Sequence, residues 1–332
     1  MRYLITGHTG FKGSWLSALL KINGHEVHGI SLAPDKHSHF NQANVSKYLD
    51  GNHFEDIRKE DALMSLVRNI KPEVVIHLAA QPLVRRSYIE PLYTYEVNVI
   101  GTLNCLKACQ VLDNLKAVLI VTTDKVYKNR NQMIGYVESD ELGGVDPYSA
   151  SKACADIATQ SWRESFPGAP IAIARAGNVI GGGDWAKDRL IPDLVNALEN
   201  QNYLKIRNPR SIRPWQHVLD CLNGYNKLIS YQLKNSTGGD WNFGPQAKEF
   251  KSVETLTNDF VKIWDKKIEI IHEESSLKES NILTLNSDKS RAVLGWNEKL
   301  DYFETLEWTA EWYKRRTDYD ITALQIEKYL NL

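Results

Sequence analysis

Short apolar runs at residues 3–6, 26–31, 74–78, 117–122 and 171–175 alternate with longer stretches of helical periodicity that begin near Phe11, Lys59, Pro91 and Tyr148. A strand followed by a helix and then another strand is the signature of a parallel βαβ unit. The runs are apolar at nearly every position rather than at every second one, so helices should cover both faces of the sheet. Beyond Arg175 the rhythm changes. Gly181-Gly182-Gly183-Asp184-Trp185, Asn208-Pro209-Arg210 and Gly238-Gly239-Asp240 punctuate shorter elements, with helices expected over 188–200, 218–233 and 253–264 and one final helix from about Tyr302. A doubly wound α/β sheet with a smaller, mixed α/β C-terminal lobe is the expected architecture. No long hydrophilic linker separates the two, so they should interlock.

The first strand runs directly into Gly7-His8-Thr9-Gly10-Phe11-Lys12-Gly13, which opens the first helix. Glycines at that junction permit a tight turn and let the backbone approach a pyrophosphate, while the helix N-terminus presents free N–H groups to the anion. This gives a Rossmann-type dinucleotide site, with residues 1–177 as its domain, a returning segment around 217–244, and 178–332 mainly as the lobe for a second ligand. The second strand ends Gly29-Ile30-Ser31-Leu32-Ala33, without the carboxylate that usually bonds a ribose 2′-hydroxyl. Asp35 is the nearest acid, and no arginine follows closely to welcome a 2′-phosphate, although Lys12 and Lys36 are near. NAD is the expected cofactor.

Charge limits the partners. The chain has 332 residues with 40 Lys+Arg against 41 Asp+Glu, which leaves no global basic field for nucleic acid. Cys105, Cys109, Cys154 and Cys221 form no C-x-x-C pair, so neither disulfides nor a zinc site is expected. No apolar run approaches the ~18 residues that span a bilayer, and the N-terminus enters its first turn at once. A cytoplasmic protein without a membrane partner is the expectation.

Tyr148-Ser149-Ala150-Ser151-Lys152 places a phenol and an ammonium at i and i+4 on one helical face. A cation beside a tyrosine stabilises its phenolate, which then accepts a hydroxyl proton. Upstream, Val121-Thr122-Thr123-Asp124-Lys125 ends a strand whose carboxyl end should border the ligand crevice. The two sets together offer a redox-assisting base and a separate acid and base.

The G-x-x-G-x-x-G spacing, Tyr148-x-x-x-Lys152 and His77-Leu78-Ala79-Ala80-Gln81 resemble the extended branch of the short-chain dehydrogenase/reductase superfamily. That resemblance implies cofactor contacts from Gly7, Gly10, Phe11, Lys12, Gly13, Asp56, Ile57, Leu78, Ala79, Ala80, Gln81, Asn98, Thr122, Tyr148 and Lys152. An acid followed by a base after Thr123 is similar to the sugar-nucleotide 4,6-dehydratases, whereas the epimerases of the branch usually carry small residues there. The lysine at 125, where dTDP-glucose and GDP-mannose enzymes have glutamate, resembles the CDP-glucose 4,6-dehydratases. So do Ala79-Ala80-Gln81-Pro82-Leu83-Val84-Arg85, the block from Ala174 to Trp185, and Arg213-Pro214-Trp215-Gln216-His217-Val218. Ile134 departs from the tryptophan that this family carries in its loop.

The likeness implies CDP-glucose or another nucleotide sugar as substrate and an internal hydride cycle through NAD. Thr123 and Tyr148 would hold and deprotonate the sugar 4-hydroxyl, with Lys152 in support. Asp124 would be the acid at C6 and Lys125, if neutral, the base at C5. Asn178, Arg189, Arg213 and His217 would bind the substrate, and helices 98–111 and 150–158 would pair in a homodimer. An epimerase and a non-catalytic dinucleotide sensor are the alternatives.

Overall fold

The computed structural model describes residues 1–201, 203–273 and 281–332. Its strands are β1 (Arg2–Thr6), β2 (Glu26–Ser31), β3 (Gly51–Phe54), β4 (Val74–His77), β5 (Ala117–Val121), β6 (Ile171–Ala176), β7 (Val179–Ile180), β8 (Tyr203–Arg207), β9 (Ile212–Arg213), β10 (Gln216–His217), β11 (Gly239–Phe243), β12 (Lys251–Ser252) and β13 (Glu269–Glu273). Seven of them form one sheet in the order β11-β6-β5-β4-β1-β2-β3, with every neighbouring pair parallel. Strand periodicity explains its two dry faces: Tyr3 and Ile5 enter one core cluster while Leu4, between them, enters the other. β3 escaped the sequence reading because Gly51-Asn52-His53-Phe54 is an edge strand with two of its four residues exposed. β11 joins from far along the chain, pairing Gly239–Phe243 with Ala172–Ala176.

Successive connections leave β1 toward β2 on one side and β4 on the other. The crevice outside their carboxyl ends is where such sheets bind ligands. The helix Phe11–Ile22 starts there with Gly10 at its N-cap and no side chain capping it. The helix Pro147–Ser165 starts with proline in its first turn and with the Asp146 carboxylate accepting from Ser149 N at 2.9 Å, which fixes the first turn that carries Tyr148.

Smaller strand pairs build the opposite wall: β7 with β10, β8 with β13 in parallel, and β9 with β12 antiparallel. Two helices differ from the sequence expectation. The one expected over 188–200 is helical only from Leu190 to Asn196, because Asp188 has φ +64° and Arg189 is extended; a wide π turn then continues to Gln201. The single final helix is two, Tyr302–Lys314 and Ile321–Leu330. Arg315, bonded to Asp318 at 2.8 Å, holds the turn between them, and Trp312 donates to Thr322 Oγ1 across the pair at 2.9 Å.

Among the described residues, no helix is long and apolar enough to cross a membrane, and no group of three or more His, Cys, Asp or Glu side chains could hold a metal ion.

Candidate active site

A cavity of about 950 Å³ runs along the carboxyl ends of the sheet and is lined from both halves of the chain. At one end stands the glycine turn. Gly7 has φ +79°, and a Cβ there would lie 2.7 Å from Ala79 N; a Cβ on Gly13 would lie 2.1 Å from the Gly7 carbonyl oxygen. The turn can therefore hold only glycine at both places, and with the uncapped helix start it forms an anion cradle of the kind a dinucleotide pyrophosphate requires. Phe11, Lys12, Leu78, Ala79, Ala80 and Thr122 also line this end.

Past β2, the Thr9 hydroxyl bonds the Ser31 hydroxyl at 2.7 Å and donates to Leu32 O at 3.0 Å, while Asp35 and Lys36 flank the rim. Asp56 lines the cavity but is clasped by Arg58, with Nη2 at 2.7 Å. Those hydrogen bonds hold the Asp56 carboxyl below the usual range despite its partial burial. Ile57 lies beside it, packed toward Gly101.

Gln81 and Asn98, expected to touch the cofactor, do not line the cavity. Asn98 Oδ1 accepts from Gln81 N at 2.8 Å, and its amide donates to Gln81 O and to Ser151 Oγ, the latter at 2.9 Å. The Asn98 side chain is thus spent on joining the β4 turn to the helix that carries Tyr148, while the Gln81 amide donates to Leu83 O and to Thr94 Oγ1 and its oxygen accepts from Leu83 N. Asn98 sits in a π turn, Glu96–Ile100, the sort of helix widening that accompanies functional sites.

Thr123, Asp124, Lys125, Tyr148 and Lys152 converge at the middle of the cavity. Thr123 caps a short 3₁₀ turn: its hydroxyl accepts from Lys125 N and donates to Asp124 Oδ1 at 2.9 Å. Asp124 is 2% exposed and its other oxygen, Oδ2, is buried without a hydrogen-bond partner. Burial raises the Asp124 carboxyl against the opposing pull of Lys125, Arg213 and Lys12, which favours its acid form. Burial likewise pushes the Tyr148 phenol up to about 12, opposed by the Thr123 hydroxyl and the Arg189 guanidinium. The Lys152 ammonium is pushed down to about 8 by burial and by Lys12, against Asp156. Its Nζ donates to Val121 O at 2.9 Å, so the lysine is tied to the end of β5 as well as sharing a helical face with Tyr148.

Asn178, Arg189 and Arg213 line the far end. Arg189 pairs with Asp184 at 2.9 Å, and Arg213 donates to Ile212 O at 2.9 Å. His217 is a correction. It is fully buried and outside the cavity lining, its Nδ1 accepting from Leu219 N to cap the helix Val218–Asn235. Trp15 and Trp308 pack edge-on to its ring, and burial pushes it down to about 3, so it stays neutral. The sequence reading also missed Arg85, Asp188 and Arg207 on the cavity wall. Arg85 lies inside the Ala79–Arg85 block already singled out; Arg207 belongs to a five-residue strand with no motif around it.

The sequence profile described as GDP-mannose 4,6 dehydratase matches residues 4–309. The chain belongs to this dehydratase family. It is 43% identical over 327 residues to a CDP-glucose 4,6-dehydratase of Salmonella typhimurium, covering 94% of this chain and 90% of that one. Among solved structures, a dTDP-glucose 4,6-dehydratase from Streptomyces venezuelae superposes with a TM-score of 0.82 at 24% identity, covering 95% and 97% of the two chains. A UDP-glucose 4-epimerase from Bifidobacterium longum gives 0.85 at 19% identity over 95% and 98%. The last two likenesses show the fold that the dehydratase family shares with epimerases.

Proposed function

We propose that the protein is an NAD-dependent nucleotide-sugar 4,6-dehydratase, a hydro-lyase that converts CDP-glucose to CDP-4-keto-6-deoxyglucose in deoxysugar biosynthesis. The observation that carries this reading is Asp124: a buried carboxyl kept toward its acid form, with one oxygen unpartnered, lining the cavity together with Thr123 and Lys125. Hydride transfer alone needs no such acid.

The Gly7–Gly13 cradle and the helix start at Phe11 would hold the pyrophosphate of NAD, and Asp35, on the cavity lining, would be the carboxylate offered to its ribose. When bound, NAD supplies hydride acceptance from C4 and hydride return at C6. The chain's own residues move the protons. Thr123 and Tyr148 hold the 4-hydroxyl, and Tyr148 takes its proton. In the protein alone the phenol is protonated near neutral pH, so the Lys152 ammonium, charged below about 8, supplies positive potential that favours the phenolate. Oxidation at C4 acidifies the C5 hydrogen; neutral Lys125 removes it as a proton, Asp124 gives its proton to the departing C6 hydroxyl, which leaves as water, and the Lys125 ammonium returns a proton to C5 as C6 receives hydride. Asn178, Arg189 and Arg213 grip the sugar diphosphate.

A panel of CDP-, dTDP-, UDP- and GDP-glucose, read by product mass, tests the assignment: loss of one water from CDP-glucose is expected. Turnover without any loss of water would replace the dehydratase with an epimerase, and bound nucleotide without reaction on the whole panel would replace it with a sensor. We further infer a cytoplasmic homodimer paired through the helices at 98–111 and 150–158. Exposed Ile100 and Ile157 on these segments support that pairing, and sedimentation at the mass of one chain would sink it.

A further inference from the structure

Three arginines on the cavity wall, Arg85, Arg189 and Arg207, are each engaged by a carboxylate of one short segment, residues 184–188. Asp184 holds Arg189. Asp188 holds the other two, and its geometry is unusual: Arg85 Nη1 and Arg207 Nη1 both donate to the same oxygen, Oδ1, each at 3.0 Å. Arg85 belongs to the helix Val84–Ile89 that follows β4, and Arg207 ends β8, so one carboxylate clasps two cations from opposite walls of the cavity. Asp188 reaches this place from a left-handed backbone, φ +64°.

A guanidinium is built to donate two parallel bonds to one anion. Here the bonds run from Nη1 of each arginine to one shared oxygen. Arg85 and Asp188 are also about two-fifths exposed, where ion pairs contribute little. An anion with more oxygens and more charge would hold both arginines better.

Building on the nucleotide-sugar reading, we propose that Asp188 is a placeholder for the substrate's diphosphate: it keeps Arg85 and Arg207 facing each other across the cavity and yields them when the nucleotide enters. Arg85 and Arg207 thereby join Arg189 and Arg213 as substrate-gripping residues, and the negative charge of Asp188 works against binding.

The test is titration calorimetry of CDP into NAD-saturated protein. Asp188→Asn keeps a residue that tolerates the left-handed backbone and removes the competing charge; it should bind CDP about fivefold tighter. Arg85→Met should bind about tenfold more weakly, the size expected for losing one charge-assisted bond. In the double variant, the gain from Asp188→Asn should shrink. If Asp188→Asn weakens CDP binding, the carboxylate orients the arginines instead, and if it changes nothing the clasp is a surface ion pair; either result overturns the proposal. Wild-type protein that binds dTDP, UDP or GDP but not CDP overturns the choice of nucleotide alone, and the same variants then decide the placeholder with that diphosphate. Binding of none of the four overturns both readings.

Discussion

The two ends of the cavity are made of different materials. The cofactor end is backbone: glycines with no room for a side chain, a helix start without a cap, and strand ends fixed by the sheet. The far end is side chain: arginines held by aspartates, on a loop, a six-residue helix and strands of two to five residues. A site built from backbone tolerates almost no substitution but recognises only a feature common to many ligands, a pyrophosphate. One built from paired charges can be retuned residue by residue, which suits the end that must choose a nucleotide and a sugar.

The sharpest way to break that contrast is at Gly13. A methyl group there would meet the Gly7 carbonyl oxygen at 2.1 Å, so Gly13→Ala should cost about 3 kcal/mol of stability, the upper end of over-packing, and abolish NAD binding in fluorescence titration. A variant that unfolds normally and still binds NAD would show that the cradle has slack.

Next comes the meeting point of the two ends. Lys125→Met and Asp124→Asn should each slow dehydration by about 100-fold or more, the usual worth of a positioned acid or base, while a burst of NADH absorbance shows that oxidation at C4 survives. Loss of the burst together with turnover would place these residues in hydride transfer rather than elimination. At the far end, Arg189→Met is expected to raise KM about tenfold and leave NAD affinity alone; a matching loss of NAD affinity would erase the distinction between the ends.

Effects of pH are milder. The Lys152 ammonium is lost as pH rises through about 8, so kcat should decline above that point, and Lys152→Met should flatten the decline. Stability has its own profile. His39 and His217 are buried and pushed down to about 3, both chiefly by burial, whereas in the unfolded chain they titrate near 6.5. The unfolded state therefore takes up protons first as pH falls, and each histidine should lower stability by up to about 1.4 kcal/mol per pH unit below 6.5, until the folded protein also titrates near 3. Urea midpoints at pH 7, 5 and 4 would measure it, and a flat series would mean that water reaches both rings.

The same contrast explains what could be read from the sequence. Gly7 to Gly13 is contiguous and flanked by a strand and a helix, so its position identified it. Thr123 to Lys125 and Tyr148 to Lys152 are short motifs at strand and helix ends, and they too were legible. The Arg85–Asp188–Arg207 clasp joins residues 103 and 19 positions apart, and only the pairing of small strands brings them together. His217 misled for another reason: it stands beside Arg213 in the chain, but its rotamer turns into the core to cap a helix. Asn98 and Gln81, expected at the cofactor, stand outside the cavity lining: the Asn98 amide bonds the Gln81 backbone and Ser151, and the Gln81 amide bonds Leu83 and Thr94. Sequence indicates which residue types gather near a site; which way each side chain turns is a matter of packing.

The late strand β11 sets a limit on how this molecule can be divided. It pairs in parallel along Ala172–Ala176 and caps the sheet beyond β6. A fragment ending at residue 177 would keep the whole glycine cradle but present β6 as a raw edge, with a row of open N–H and C=O groups beside alternating apolar side chains, the arrangement that invites strand addition from neighbouring molecules. Such a fragment should aggregate rather than serve as a portable cofactor-binding module, because the last strand of its sheet is encoded some sixty residues further along the chain.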